Sequence, residues 1–240
     1  AAKQGLMQFD TPLIRATLLR RYKRLLADCL LQDGREITAH VANPGSMLGM
    51  KDPGTKVWLE PNDDPKRKLN YAWRLIDLGA GHFIGVDTGV PNKMLKAALM
   101  AGNVPGLDGY DLVKPEVKYG ENSRIDFLLS GAGRRDAWVE VKSVTLSRVS
   151  GRAEFPDSVT ARGAKHLGEL TKIAMAGQRA VMLYLVQRTD CDHFQLAADI
   201  DPAYAAAFDD AQATGVERLV CTTRISPDGV WVEAAKRLPS

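Results

Sequence analysis

Polar and apolar residues alternate one by one through two neighbouring stretches of the chain, "SRIDFLLS" at 123–130 and "AWVEVKSV" at 137–144. Successive side chains of a strand point to opposite faces, so Arg124, Asp126 and Leu128 share one face and Ile125, Phe127 and Leu129 the other. The same rule sets Trp138, Glu140 and Lys142 together, opposite Val139 and Val141. The segment between, "SGAGRRD", is rich in glycine and charge and predicts a hairpin, which makes the two strands antiparallel neighbours. With a matching register, Asp126 and Glu140 meet on one face beside Lys142.

Upstream, the pattern predicts a β-rich unit. Residues 13–32 suit one long strand, with a helix over 13–26 as its competitor, and they run through the turn pair Asp33-Gly34 into "REITAHVA". "TKVWLEPN", "KLNYAWRLIDL" and "HFIGVDTG" follow, about five strands in all, which fits a small OB-type barrel. The segment from Asn43 to Ser46, "NPGS", reads as a turn with backbone donors that a phosphate can also use. Gly85 to Asn92 reads as a linker.

Downstream the period changes. A helix is predicted from near Pro91 to near Gly102, then the strand "DLVKPEVKYG" and the two alternating strands. A helix from about Ser158 to Ala176 carries an apolar stripe of Val159, Leu167, Leu170 and Ala174. Its polar stripe is Arg162, Lys165, His166, Glu169 and Lys172. "RAVMLYLVQ" is an almost unbroken apolar run, the mark of a central strand covered on both faces. A helix from Pro202 to Thr214 and the strand "ERLVCTTRIS" complete an α/β sheet with helices on its faces.

Composition narrows the function classes. The 240 residues are 45% hydrophobic, enough for a packed core, yet no run of about 18 apolar residues suits a membrane span. The first residues lack the basic, apolar, small order of a secretory leader. Cys29, Cys191 and Cys221 lie far apart without a C-x-x-C, and His40, His82, His166 and His193 form no zinc-type spacing. A cytoplasmic protein without membrane partners is expected.

Charge is unevenly placed. Residues 1–83 hold 13 Lys and Arg against 9 Asp and Glu, a balance of +4, while the whole chain carries +3. Arg15, Arg20, Arg21, Lys23 and Arg24 form one cluster, and Lys66, Arg67 and Lys68 form another beside Tyr71 and Trp73. Basic groups interleaved with aromatics suit nucleic acid, with an ordinary solvated face as the alternative.

Two adjacent carboxylates repel unless a cation or a proton lies between them, and hard oxygen ligands suit Mg²⁺ or Mn²⁺. Asp126 and Glu140 are thus candidate metal ligands. Lys142 is a candidate for orienting water or neutralising charge that builds on a phosphate. The competing reading is an exposed Glu140–Lys142 pair beside a solvated Asp126.

The motifs "RYKRLLAD", "NPGSM", "PEVKYGENSRIDFLL", "VEVKSVTL" and "FPDSVTARGAKHLGEL", in this order, resemble the sugar fermentation stimulation protein A family. The resemblance spans about Leu13 to Val232. It implies an N-terminal OB-fold over 1–84 and a restriction-endonuclease-like, PD-(D/E)xK domain with a mixed sheet over 85–240. It further implies DNA binding and a regulatory role in maltose and other sugar metabolism. The PD-(D/E)xK class carries over onto Asp126, Glu140 and Lys142 as catalytic residues, with Ile125 where the class name has proline. Glu116 or Glu121 is a candidate further acid. Asp157, Arg162, Lys165 and His166 are candidates to line the site, with helix capping as the alternative role of Asp157. DNA binding with weak sequence preference and an active Mg²⁺-dependent nuclease on DNA or RNA both remain open.

Overall fold

The computed structural model describes residues 7–237, so the outermost residues of the two expected domains, 1–6 and 238–240, lie outside it. Strands Ile14–Tyr22 (β1), Leu26–Leu31 (β2), Glu36–His40 (β3), Lys56–Pro61 (β4) and Tyr71–Gly79 (β5) form a sheet in the order β3-β2-β1-β4-β5. A bridge between His40 and Ala72 joins β3 to β5 and closes it into a five-stranded barrel. His82–Gly85 (β6) is added as a hairpin partner of β5. Inward positions such as Leu18, Ala27, Cys29, Leu59 and Trp73 fill the barrel, and the alternate positions face outward, as period-two sequences require.

The stretch expected to be one long strand breaks at Lys23 and Arg24, which adopt φ of 48° and 62° and turn the chain back on itself. β1 and β2 therefore pair as a hairpin, Arg21 opposite Ala27. The competing helix over 13–26 does not form.

Beyond β6 the chain enters helix Val90–Met100 (α1), with Pro91 in its first turn. Strands Leu112–Tyr119 (β7), Ser123–Ser130 (β8), Ala137–Val144 (β9), Arg179–Val186 (β12), Glu217–Ser226 (β14) and Gly229–Arg237 (β15) form a six-stranded sheet in the order β15-β14-β12-β9-β8-β7. It is mixed: β12 runs parallel to β9 and β14, and the outer pairs are antiparallel. β12 is central and covered on both sides. α1 lies against one face, on Val139, Leu183 and Cys221, and helices Ala161–Met175 (α2) and Pro202–Ala213 (α3) lie against the other. A small sheet of Leu146–Val149 (β10), Arg152–Phe155 (β11) and His193–Leu196 (β13) has short polar strands that gave no sequence signal.

The barrel is joined to the large sheet along β6. The Gly85 amide donates to the Gln187 carbonyl at 2.8 Å, and Ile84 bridges Arg188. Gly85 suits this closeness, because a Cβ there would lie 2.9 Å from Gln187 Oε1 and the glutamine side chain would have to shift. Among the described residues, no helix is long and apolar enough to cross a membrane.

Candidate functional site

The β8–β9 ladder ends where Phe127 faces Val139, and Asp126 is the next residue out. Its Oδ2 accepts the Val141 amide at 2.7 Å, so the carboxylate takes the place of the missing ladder acceptor. Its Oδ1 accepts from the Asn92 side chain at 2.7 Å, in the first turn of α1. Burial raises the Asp126 pKa above its ordinary 3.8, and the charge of Glu140 adds to this against the Val141 amide, Asn92 and Lys142.

Glu140 projects from β9 toward α2, and only 4% of its side chain is exposed. Its Oε1 lies 2.7 Å from His166 Nδ1 and 3.3 Å from Lys142 Nζ, which is itself 3.0 Å from the same Nδ1. Nδ1 cannot serve both neighbours at once. Protonated, it donates to Glu140; unprotonated, it accepts from Lys142. Glu140 Oε2 is buried and has no hydrogen-bond partner among the described residues. Together with Thr88, Pro91, Ser143, Thr160, Arg162 and Gly163, these side chains bound a cleft of about 270 Å³.

The structure thus gathers Asp126, Glu140, Lys142 and His166, with Arg162 at the rim. Glu116 stands opposite Asp126 in the β7–β8 register, but it is exposed, has a φ of 54° and does not line the cleft. Glu121 uses its backbone, its carbonyl accepting from Lys165 Nζ at 2.9 Å, so Lys165 ties the β7–β8 turn to α2. Asp157 does not cap α2. That role belongs to Thr160, whose hydroxyl accepts the Gly163 amide at 2.9 Å. Asp157 instead accepts the Ser46 hydroxyl of the barrel's "NPGS" turn at 2.8 Å.

The two stripes expected on α2 also shift. Val159 lies before the helix and is exposed, whereas His166 and Glu169 are buried. Glu169 lies beneath the β7–β8 turn, near the Glu121 amide, where Gly120 leaves room for it. Its charge, after burial and that of Glu140, helps push Tyr119 well above the usual tyrosine range. Asn92 had no motif to announce it; the helix-opening Pro91-Asn92 pair was its only trace.

The basic residues of the barrel scatter. Arg15 lies over Trp58 and 3.8 Å from Asp77, and Arg20 pairs with Asp28 at 2.8 Å. Arg21 is occupied internally, donating to the carbonyls of Asn43 at 2.8 Å and Gly45 at 2.9 Å. Lys23 and Arg24 form the exposed hairpin turn. Lys66, Arg67 and Lys68 are exposed, and the last two border a groove of about 560 Å³ with His40, Tyr71 and Arg74. Trp73, expected beside them, is fully buried in the barrel and donates its indole N–H to Leu75.

Family models cover both halves of this architecture. The "SfsA N-terminal OB domain" matches residues 19–86 and the "Sugar fermentation stimulation protein RE domain" matches residues 89–229. The chain belongs to the sugar fermentation stimulation protein family. A "Sugar fermentation stimulation protein homolog" of Ruegeria pomeroyi is 69% identical over 226 residues, covering 94% of this chain and 98% of the relative. The homolog of Agrobacterium fabrum is 48% identical and covers 97% of each chain. Among solved structures, Pyrococcus furiosus SfsA in complex with Ca²⁺ superposes with a TM-score of 0.84 at 26% identity, covering 98% of both chains. The family's two-part fold is therefore the one seen here.

Proposed function

We propose that this protein binds DNA and hydrolyses its phosphodiester bonds with the help of a divalent cation held by Asp126 and Glu140. One observation carries the reading: two carboxylates and a lysine converge in a cleft, and the buried Glu140 Oε2 has no partner there. Leaving such an oxygen unpaired costs about 1–3 kcal/mol, or more when charged, which a bound cation offsets. Among the described residues no three His, Cys, Asp or Glu side chains gather into one metal cluster. Two carboxylates fit a hard ion such as Mg²⁺ or Mn²⁺, which keeps several of its waters. The Ca²⁺ complex of the Pyrococcus furiosus relative supports an oxygen-loving cation in this family.

Bound there, the cation would supply Lewis-acid stabilisation of the phosphate and a more acidic water. The chain's own groups do the rest. Asn92 and the Val141 amide fix the orientation of Asp126. His166 and Lys142 hold Glu140 by Oε1, which leaves Oε2 free. The Lys142 ammonium, 16% exposed, offers positive charge to a phosphate oxygen at the point where charge develops. Its contacts with Glu140 and His166 favour a second reading, in which the cleft docks DNA without cutting and the protein acts as a regulator of sugar metabolism. The three free cysteines suit the reducing cytoplasm for either role.

The deciding experiment incubates wild type, Lys142→Ala and Asp126→Ala with single-stranded, double-stranded and structured DNA or RNA in Mg²⁺ or Mn²⁺. Cleavage by wild type alone supports hydrolysis. Cleavage that survives both substitutions removes this site, and binding without cleavage by any form leaves the docking reading.

A further inference from the structure

Arg162 projects from the first turn of α2 at the cleft rim, exposed and without a hydrogen bond or ion pair among the described residues. Arg148, Arg152, Arg179 and Arg188 each bond a carboxylate, whereas Arg162 shares its lack of a partner with the exposed Arg24 and Arg124, neither of which borders the cleft. An unpaired guanidinium thus shares one cleft with an unpaired carboxylate oxygen, Glu140 Oε2, on a side chain only 4% exposed. The space between the two is matched to a ligand with a cation innermost and an anion outermost. The positive end of α2 adds to that preference.

The cleft is not isolated. It shares Thr88 and Ser143 with a groove of about 320 Å³ that runs under the barrel turn Asn43–Gly45 to Phe155 and Asp157. Barrel residues form one wall of the groove and the large α/β unit the other, and the Ser46–Asp157 hydrogen bond ties the walls together at 2.8 Å. At about 320 Å³ and with its walls bonded together by Ser46 and Asp157, the passage is small, which favours a single chain of sugar and phosphate over a duplex.

Resting on the proposed function, we infer that Arg162 holds a backbone phosphate of an unpaired strand that runs from this groove to the carboxylates. Arg162 is then a binding residue that selects single strands, and its planar fork suits two phosphate oxygens at once.

The test measures anisotropy of a labelled single-stranded oligonucleotide and of its duplex across a salt series, with Ca²⁺ present. Wild type is compared with Arg162→Ala, Arg162→Lys and, as a control outside the cleft, Arg35→Ala. Equal melting temperatures would establish that the variants fold. Wild type should prefer the single strand. Arg162→Ala should bind it about tenfold more weakly, as expected for one lost charge-assisted contact, and the salt slope should shrink by about 0.7. Arg162→Lys should keep the slope while losing part of the affinity, and Arg35→Ala should match wild type. Arg162→Ala binding within twofold of wild type, or a duplex bound as tightly as the single strand, overturns the inference alone. If wild type binds neither form, the polynucleotide reading fails and the inference fails with it.

Discussion

Replacing Asp126 by Asn should make the cation-free protein more stable and make it insensitive to cations. The geometry allows the exchange: the amide oxygen can accept the Val141 N–H, and a flip of the Asn92 amide restores the other contact. What disappears is a buried charge facing Glu140. Because burial and Glu140 raise its pKa above 3.8, the folded chain keeps a proton that the unfolded chain gives up. Stability therefore falls as pH rises from the ordinary value through the folded one, and the full cost is present above that window. Removing such functional strain commonly returns about 0.5–2 kcal/mol. For a chain of this size that is about 1–8 °C in Tm. Thermal melts in chelator should show the variant ahead at pH 7 and the gap closing toward pH 4. Adding Mg²⁺ or Mn²⁺ at about a hundred times Kd should stabilise wild type by about 2.7 kcal/mol and leave the variant unmoved. A variant less stable than wild type at pH 7 in chelator, or one that cations stabilise equally, would refute this account of the carboxylate pair.

Gly120→Ala should cost about 1–3 kcal/mol in denaturant titration, because its Cβ would collide with the Glu169 carboxylate at a φ of 54°, and Glu169→Ala should restore part of the loss. Tyr204→Phe strands the buried Tyr184 hydroxyl, now 2.6 Å from its partner, and should cost about 1–3 kcal/mol by the same measurement. Arg21→Ala should lower the denaturation midpoint while leaving the salt slope of DNA binding unchanged, since that guanidinium already serves the Asn43 and Gly45 carbonyls. Asp157→Ala should leave cation-induced stabilisation intact, because Asp157 bonds Ser46 and does not line the carboxylate cleft.

The meeting of Asp126, Glu140 and Lys142 was legible because strand alternation is strict and the hairpin between them is short. The apolar run of β12 after Arg179 announced its central place for a related reason: a strand covered on both faces has no solvent side that calls for alternating polar residues. His166, a candidate to line the site, does so, but the burial of His166 and Glu169 was not legible from their polar stripe, because α2 is covered by the sheet, by α3 and by the β7–β8 turn. The break at Lys23-Arg24 had no signal, since side chains other than glycine at positive φ leave no pattern. Arg21 illustrates a further limit: a run of cations reads as a surface for polyanions, and backbone carbonyls that claim one of them are invisible in one dimension.

The bonded seam between β6 and the residues that follow β12 has a consequence for how a strand would be handled. Because backbone hydrogen bonds from Gly85 to Gln187 and from Thr189 to Phe83 join the barrel and the large sheet, the connection between the barrel and the carboxylates is braced rather than a free hinge. The molecule is a caliper with fixed jaws. If the proposed strand is seated at the Asn43–Gly45 turn, it would meet Asp126 and Glu140 at one set interval, so its footprint would be built into the fold, and substitutions that loosen Gly85 would blur that interval before they abolished binding.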